Sequence, residues 1–339
     1  MTYTDIRTSS GTAASCAGHA GLALTLILGC GVAAVAAPAV VTLPGDRAYP
    51  ESVTSTADGT LYIGGFATGG VLRVRPGATQ AEPWIKPGAS DSRSTLGVLA
   101  DEASKTLWVC SNDLSAMGVQ TPGSASGSAL KGFDLNTGEG KISARLPGAR
   151  TLCNDIAVGP DKAVYVTNSL APQILRLRPG SSELEVWAED PRFEPPKPGA
   201  GLDGLAFGSD GNLFVDTFTK GELFRVEVKD GKAGKITKLQ SSRPTTLTDA
   251  IRPTDNGRAF LMIEGDGKVD RVTIAGENAA IDTLKDGFDG PTGVTQVGQT
   301  AWVSEGQLAY LLDPAKKAQG PKLPFKLYAV QLSGDQISK

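Results

Sequence analysis

Two stretches of the chain decide its fold: residues 52–77, SVTSTADGTLYIGGFATGGVLRVRPG, and residues 204–231, GLAFGSDGNLFVDTFTKGELFRVEVKDG. Each contains a short apolar strand, a turn, a second strand ending in small polar residues, and a third strand. The Asp-Gly turns at 58–59 and 210–211 suit tight hairpins, because such loops often require a positive φ. The two stretches are therefore copies of one antiparallel unit.

The same unit recurs six times along the chain. The first apolar residues of its innermost strands, here called anchors, are Val53, Val98, Ile156, Leu205, Ile251 and Val294. They are separated by 45, 58, 49, 46 and 43 residues. A period of this length with about four strands in each unit is typical of a β-propeller.

The two ends of the repeated region predict how the ring closes. The last third strand is LYAVQL (327–332), and the sixth unit has no outer strand after it. The segment VVTLPGDRAYPES (40–52) matches the pattern of SARLPGARTLCND (143–155), an outer strand that leads into a new unit. We therefore predict an all-β fold over residues 38–339, a six-bladed β-propeller closed by an N-terminal strand, residues 40–44, in the last blade.

The N-terminal residues indicate export. Residues 22–36, LALTLILGCGVAAVA, form an apolar run that ends in an A-x-A pattern, so residues 1–37 are predicted to be a signal peptide. We expect a periplasmic or secreted protein with no membrane attachment after cleavage. An uncleaved anchor or a lipoprotein modified at Cys30 are alternatives, although the run is short for a span. An oxidising compartment would permit a Cys110–Cys153 disulfide, but the sequence does not show that the two are adjacent.

Composition excludes several function classes. The 33 basic and 36 acidic residues give a net charge of −3, which argues against nucleic-acid binding. The single histidine, His19, lies in the predicted signal peptide. The mature chain therefore cannot build a Ser-His-Asp triad, a Cys-His pair or a histidine zinc site. We expect a monomer whose partner is a small-molecule substrate.

One register position carries the candidate chemistry. The residues two positions before the anchors are Glu51, Leu96, Asn154, Asp203, Asp249 and Thr292. Innermost strands line the central channel, so these residues should form a ring around its mouth. Three carboxylates facing one axis repel each other unless they are protonated or bridged by a cation. Oxygen ligands suit a hard divalent metal, Ca²⁺ first, with Zn²⁺, Mn²⁺ or Mg²⁺ left open. The alternative is that Asn and Asp serve as turn formers where loops enter strands.

These motifs resemble those of the senescence-marker-protein, gluconolactonase and luciferin-regenerating-enzyme family of propellers. The resemblance lies in Pro50-Glu51, Asn154-Asp155-Ile156, Asp203-Gly204-Leu205 and the closing PFKLYAVQL. It implies that Glu51, Asn154 and Asp203 hold a divalent cation, with Asp249 as a further ligand, and that Asp203 acts as a general base in lactone hydrolysis.

The chain departs from that family in two places. TLCND stands where gluconolactonase-like members usually carry L-N-x-P-N-D, and the second unit lacks the Arg and Asn that grip sugar hydroxyls in those members. The mature chain also lacks the channel histidines of paraoxonase-like lactonases. A sugar-acid lactone is therefore a weaker expectation for the substrate.

Three polar residues near the ends of second strands are candidate substrate-binding residues: Asn112, Asn168 and Asp216. The alternative for each is a solvated loop residue. Taken together, the sequence predicts an exported divalent-metal-dependent hydrolase, a lactonase or esterase. Asp203 or Asp249 would accept a proton from water, while Glu51 and Asn154 hold the metal. The alternatives are a non-catalytic ligand- or protein-binding propeller with a structural metal, and a phosphotriesterase-like hydrolase at the same site.

Overall fold

The computed structural model of the protein describes residues 38–332. The predicted signal peptide, residues 1–37, and residues 333–339 lie outside the described residues, so export stays a prediction. Within residues 38–332, none of the helices combines the length and the apolar character that a membrane span requires.

Six small antiparallel sheets form a ring, as the sequence predicts. Blade 1 consists of β2 (Pro50–Ser55), β3 (Leu61–Gly65), β4 (Val71–Val74) and β5 (Glu82–Ile85). Blade 2 consists of β6 (Ser94–Asp101), β7 (Thr106–Asn112), β8 (Ser128–Asp134) and β9 (Gly140–Arg145). Blade 3 consists of β10 (Cys153–Val158), β11 (Val164–Asn168), β12 (Gln173–Leu177) and β13 (Leu184–Glu189).

The other three blades complete the ring. Blade 4 consists of β14 (Leu202–Phe207), β15 (Leu213–Thr217), β16 (Glu222–Lys229) and β17 (Lys232–Lys238). Blade 5 consists of β19 (Thr248–Thr254), β20 (Ala259–Glu264), β21 (Lys268–Ala275) and β22 (Asn278–Lys285), with the short β18 (Gln240–Ser241) paired to its edge. Blade 6 consists of β23 (Pro291–Val297), β24 (Thr300–Glu305), β25 (Lys326–Gln331) and β1 (Val40–Thr42).

The ring closes through the N-terminal strand. β1 pairs antiparallel with β25, with Val41 opposite Leu327. The Leu43 N–H extends the ladder by donating to the Phe325 carbonyl at 2.9 Å. The predicted outer strand of the last blade is confirmed, and it leaves blade 6 without the unpaired edge that an open ring would carry.

Every innermost strand is irregular at the same point. The register with the second strand shifts just before the anchor in all six blades, at Pro50/Val53, Thr95/Val98, Cys153/Ile156, Leu202/Leu205, Thr248/Ile251 and Pro291/Gly293. Such bulges turn side chains away from the regular alternation of a strand. The six ring residues therefore occupy bulges rather than ordinary strand positions.

Glycine follows the ring residue where adjacent inner strands approach most closely. A Cβ on Gly97 would lie 2.2 Å from the Asn154 carbonyl oxygen, and one on Gly204 would lie 2.5 Å from the Ile251 nitrogen. Both distances are far inside van der Waals contact, so a side chain at either position would push neighbouring blades apart. The small residue next to the ring thus lets the blades meet tightly at the mouth.

Loops at the ring end of the blades carry the irregular structure. In blade 6, the segment between β24 and β25 contains two short helices, α1 (Ala309–Leu312) and α2 (Pro314–Lys317), which the sequence did not predict. In the loop of residues 190–201, Phe193 is fully buried with its ring centroid 5.1 Å from that of Phe224. That long loop is thereby fixed to blade 4.

A disulfide joins blades 2 and 3. Cys110 of β7 and Cys153 at the start of β10 are bonded, with their Cα atoms 5.1 Å apart. The sequence left this pairing open. Because Cys153 immediately precedes Asn154, the covalent link fixes the strand that presents one of the predicted ligands.

Candidate functional site

The four predicted ligands all lie at the channel mouth, and all are buried. Glu51, Asn154, Asp203 and Asp249 are 4–7% exposed. Each is held by the bulge of its own innermost strand, so the shared register position identified in the sequence corresponds to a shared position in space. Such a set of buried acids requires a source of positive charge or of protons.

Burial and mutual repulsion strongly raise the pKa values of these acids. Burial raises the pKa of Glu51 well above its usual range, and the charges of Asp249 and Asp155 raise it further. Burial likewise raises the pKa of Asp203, with Asp249 as the next largest cause. The pKa of Asp249 is raised by burial and then by Asp155. Both causes favour the protonated form of an acid.

The sequence reasoning missed an ion pair inside the channel. Arg252 lies on β19, three residues after Asp249, and it donates from Nη1 and Nη2 to the Asp155 carboxylate at 2.5 and 2.8 Å. Both side chains are buried. In the other blades, the residue immediately after the anchor is small or apolar. A charged Arg252 at that position of blade 5 was the signal that the sequence offered.

The ring contains more acidic than basic side chains. The interacting acids are Glu51, Asp155, Asp203, Asp216 and Asp249. Of the side chains in residues 38–332 that shift the pKa values of Glu51, Asp203, Asp216 and Asp249, Arg252 is the only cation. Arg252 forms a two-bond pair with Asp155, so its charge, which also lowers the pKa values of Glu51, Asp216 and Asp249, is shared among several acids.

Asn154 orients Asp203. Its Nδ2 donates to Asp203 Oδ2 at 2.8 Å and to Ser169 Oγ at 2.9 Å. Ser169 in turn donates to the Leu202 carbonyl at 2.6 Å. The amide therefore connects blade 3 to the start of β14 and fixes one carboxylate oxygen of Asp203.

Asp216 lies directly behind this pair. It is fully buried, and its Oδ1 accepts the Gly204 N–H at 2.9 Å. Its Oδ2 has no hydrogen-bond partner among the described residues 38–332. Burial raises the pKa of Asp216, Asp249 adds to the rise, and the Gly204 bond opposes it. A buried carboxylate oxygen without a protein partner is available to a proton, a water molecule or a cation.

Asn112 and Asn168, predicted to contact substrate, form hydrogen bonds with the backbone. Asn112 exchanges two hydrogen bonds of 2.9 Å with the N–H and carbonyl of Cys153. Asn168 accepts from Leu152 N–H and donates to the Arg150 carbonyl, both at 3.0 Å. Both amides are buried and fix the backbone that leads into Asn154. They therefore help to position Asn154.

A cavity of about 370 Å³ opens beside the ring, between blades 5 and 6. Asp249 and Thr292 form its inner wall, and Phe218, Leu247 and Leu308 line the rest. A larger cavity, about 640 Å³, lies at the opposite ends of the strands beside Phe207 and Thr254, away from the ring acids. The smaller cavity is the one that reaches the predicted chemistry.

The donors at the mouth fit a hard cation in their chemistry. Oxygen atoms of carboxylates and an amide are the ligands that Ca²⁺ prefers, and the ring lacks the positive charge that it needs. Within residues 38–332, no three His, Cys, Asp or Glu side chains lie close enough to form one metal-binding group.

Comparisons with known proteins identify the fold but not the chemistry. No protein-family model matches the sequence, and a search of curated protein sequences finds no match. Among solved structures, a gluconolactonase from Xanthomonas campestris matches with a TM-score of 0.61 at 17% identity, over 86% of this chain and 89% of that one.

Two other matches perform different reactions. Virginiamycin B lyase from Staphylococcus aureus, with quinupristin, matches with a TM-score of 0.56 at 17% identity, over 86% and 83% of the two chains. The PQQ-bound aldose sugar dehydrogenase of Streptomyces coelicolor matches with a TM-score of 0.54 at 17% identity, over 87% and 100%. The propeller is thus shared by proteins of several activities, and the function must be argued from the site.

Proposed function

We propose that the protein is a divalent-metal-dependent hydrolase that opens a small lactone or related ester with water. The observation that carries this proposal is the excess of buried carboxylates at a channel mouth that opens into a cavity. Structural ion pairs are normally balanced in charge, whereas perturbed acids beside a cavity are typical of catalytic sites.

Glu51, Asn154 and Asp203 are the residues that would hold the metal, with Ca²⁺ as the first candidate and Zn²⁺, Mn²⁺ or Mg²⁺ as alternatives. This assignment uses two carboxylates and one amide, in keeping with the absence of a three-acid group in residues 38–332. A cation bound there supplies positive charge that polarises the ester carbonyl. Asn154 would also keep Asp203 in place through their 2.8 Å hydrogen bond.

Asp249 is the residue proposed to accept the proton. It lies in the wall of the cavity, whereas Asp203 is hydrogen-bonded to Asn154. Water would attack the carbonyl carbon and lose a proton to the Asp249 carboxylate. The bond to the leaving oxygen then breaks, and that oxygen takes up the proton. The charge of a cation held nearby would favour the ionised carboxylate of Asp249, which is the form that can accept a proton.

The test compares turnover of two variants on a panel of lactones, carboxylic esters and phosphotriesters. Asp249→Asn should lower kcat by about 10²–10⁴-fold, the range typical of a general base. Asp210→Asn, the same change at an exposed hairpin position of blade 4, should keep wild-type turnover. Turnover of Asp249→Asn within a few fold of wild type would show that Asp249 is not the general base. If wild type hydrolyses no compound of the panel, the proposed hydrolase activity is wrong.

A non-catalytic ligand-binding propeller with a structural cation is the second candidate. The burial of the ring acids, which are only 4–7% exposed, favours this candidate. Metal binding without turnover of any ester in the panel would support it. Hydrolysis of phosphotriesters alone would instead assign a phosphotriesterase activity to the same residues.

Export is part of the proposal and rests on two observations. The apolar run at 22–36 has the pattern of a signal peptide. The Cys110–Cys153 disulfide belongs with an oxidising compartment such as the periplasm or the extracellular space. N-terminal sequencing of the secreted protein would test it, with cleavage expected near residue 37.

A further inference from the structure

The cavity beside Asp249 is lined mostly by apolar side chains, with Asp249 and Thr292 on its ring side and Asp313 just after α1. We call it the leucine pocket and define it by Asp249 and Thr292 on the ring side and by Phe218, Leu247, Leu308 and Leu312 around it. Its volume of about 370 Å³ lies at the lower end of the range of about 300–1,000 Å³ usual for small-molecule sites. A site of this shape would place an apolar group next to an acid.

Leu247 is held in an unusual backbone conformation. Its φ of 51° lies in the left-handed region, which a bulky residue without a local hydrogen-bonding side chain rarely adopts. The Leu247 carbonyl accepts the Gly265 N–H at 2.8 Å. A Cβ on Gly265 would lie 3.2 Å from Leu247 Cβ, so glycine leaves room for this arrangement. Backbone strain that the surrounding fold maintains is concentrated at functional sites.

The segment before Leu247 is fixed from behind. Arg243 Nη1 lies 2.5 Å from Glu264 Oε1, and the Thr246 N–H donates to Glu264 Oε2 at 2.7 Å. Glu264 is buried at the end of β20. The apolar wall formed by Leu247 is therefore anchored to the core of blade 5 and is not a free loop tip.

The opposite wall is equally anchored. Gln307, just before α1, exchanges hydrogen bonds of 2.8 and 3.0 Å with the backbone of Lys322 across the insertion. Tyr310 of α1 donates to Asp289 at 3.0 Å. These contacts hold α1 so that Leu308 and Leu312 face the cavity, although Leu312 remains 37% exposed. Leu308 and Leu312 give this wall of the cavity an apolar surface.

We propose that the leucine pocket binds an alkyl or aryl substituent of the substrate, so that the preferred substrate is an apolar lactone or ester and not a sugar lactone. This inference rests on the proposed function and names the substrate class of that site. Asp249 and Thr292 would lie beside the ester group, while Leu247, Leu308 and Leu312 would cover the substituent. Each buried methylene should strengthen binding about fourfold, equivalent to ~0.8 kcal/mol.

The experiment measures binding without requiring turnover. Cyclopentanones carrying methyl, butyl or hexyl groups at the 3-position mimic γ-lactones, but CH₂ replaces the ring oxygen and leaves no ester bond to hydrolyse. Calorimetric titration of the protein with this series should show affinity rising with chain length, by up to about 10³-fold from methyl to hexyl if all five added methylenes are buried at about fourfold each. Affinity that is independent of chain length, or no binding by any member, would overturn the inference.

Leu247→Asn is the variant that tests the pocket itself. Asn adopts the left-handed conformation more readily than Leu, so the folded state should be retained, which urea unfolding would check. The variant should lose most of the chain-length dependence, because Asn removes apolar surface that would cover the longer substituents. Val186→Asn, at an exposed apolar position of β13, is the control and should behave as wild type. Equal chain-length dependence in Leu247→Asn and wild type would contradict the assignment.

The outcome separates this inference from the proposed hydrolase. Chain-length-dependent binding that Leu247→Asn abolishes, without hydrolysis of any ester, would support the pocket and contradict the enzyme. Hydrolysis of lactones with kcat/KM independent of substituent length would support the enzyme and contradict the pocket.

Discussion

Two clusters of buried carboxylates within residues 38–332 differ in their balance of charge. One is the ring at the mouth, where Arg252 donates hydrogen bonds to Asp155 and its charge also lowers the pKa values of Glu51, Asp216 and Asp249. The other, which we call the clamp, is Arg243 with Glu264 and Asp270 in blade 5. Arg243 reaches both acids of the clamp, at 2.5 Å and 2.8 Å. A guanidinium that bridges two acids compensates most of their charge, whereas in the ring the charge of one guanidinium is shared among several acids.

The pKa values reflect this difference. In the clamp, hydrogen bonds involving Asp270 and Arg243 outweigh burial and lower the pKa of Glu264, while burial raises that of Asp270 to about 6. At most one of the two acids in the clamp is therefore expected to bind a proton near neutral pH. In the ring, the pKa values of Glu51, Asp203 and Asp249 all rise well above their usual range. Buried acids therefore indicate a ligand site only where the protein does not supply the opposing charge.

The largest expected effect comes from removing the single cation of the ring. Arg252→Gln leaves Asp155 and its neighbours without compensation and should cost about 3–5 kcal/mol of unfolding free energy, the usual penalty for breaking a buried ion pair. Arg243→Gln is the matched variant in the clamp. It should cost less, because Arg243 is 30% exposed and water can replace it. Urea unfolding at pH 7 measures both, and equal losses would contradict the distinction.

The next effect is the pH dependence of the ring in metal-free protein. Glu51 has a folded pKa above its unfolded value of about 4.3, so the native state binds more protons than the unfolded state. Its contribution to stability must then fall as pH rises above about 4. Relative to wild type, Glu51→Gln should gain stability as pH rises from 4 to 8. At pH 8, saturating Ca²⁺ should make wild type the more stable of the two proteins. A stability difference that changes with neither pH nor Ca²⁺ would contradict the account.

The smallest effect belongs to the clamp. Asp270 has a folded pKa of about 6 and an unfolded value of about 3.9, so wild type should lose stability relative to Asp270→Asn between about pH 4 and 6. Above about pH 7 the difference should be constant, and Ca²⁺ should not change it. A Ca²⁺-dependent difference at this position would mean that the clamp, too, lacks compensating charge.

The fold could be predicted because its signals are local and repeated. Asp-Gly turns, short apolar strands and a period in the forties are visible in one dimension, and the matching segments at 40–52 and 143–155 predicted the closure. The ring register could be predicted for the same reason, since the bulge before the anchor recurs in every blade. Residues with equivalent places in equivalent repeats must face the same axis.

The remaining features depend on contacts between repeats. Arg252 and Asp155 lie on different blades and meet only across the channel. Their spacing along the chain therefore does not predict that they form an ion pair. The Cys110–Cys153 bond and the burial of Asn112 likewise follow from how blade 2 packs on blade 3. The helices α1 and α2 have four residues each, too few to show a period, and the leucine pocket exists only where they face blade 5.

The most direct test of the account is a calorimetric titration of Ca²⁺ into metal-stripped protein at pH 7.5, beside Asp203→Asn in the ring and Asp270→Asn in the clamp. The account predicts one site in wild type, weakened at least about tenfold in Asp203→Asn, as expected for the loss of a ligand carboxylate, and unchanged in Asp270→Asn. Absence of binding by wild type, or equal weakening in both variants, would contradict the claim that the ring acids are kept for a cation.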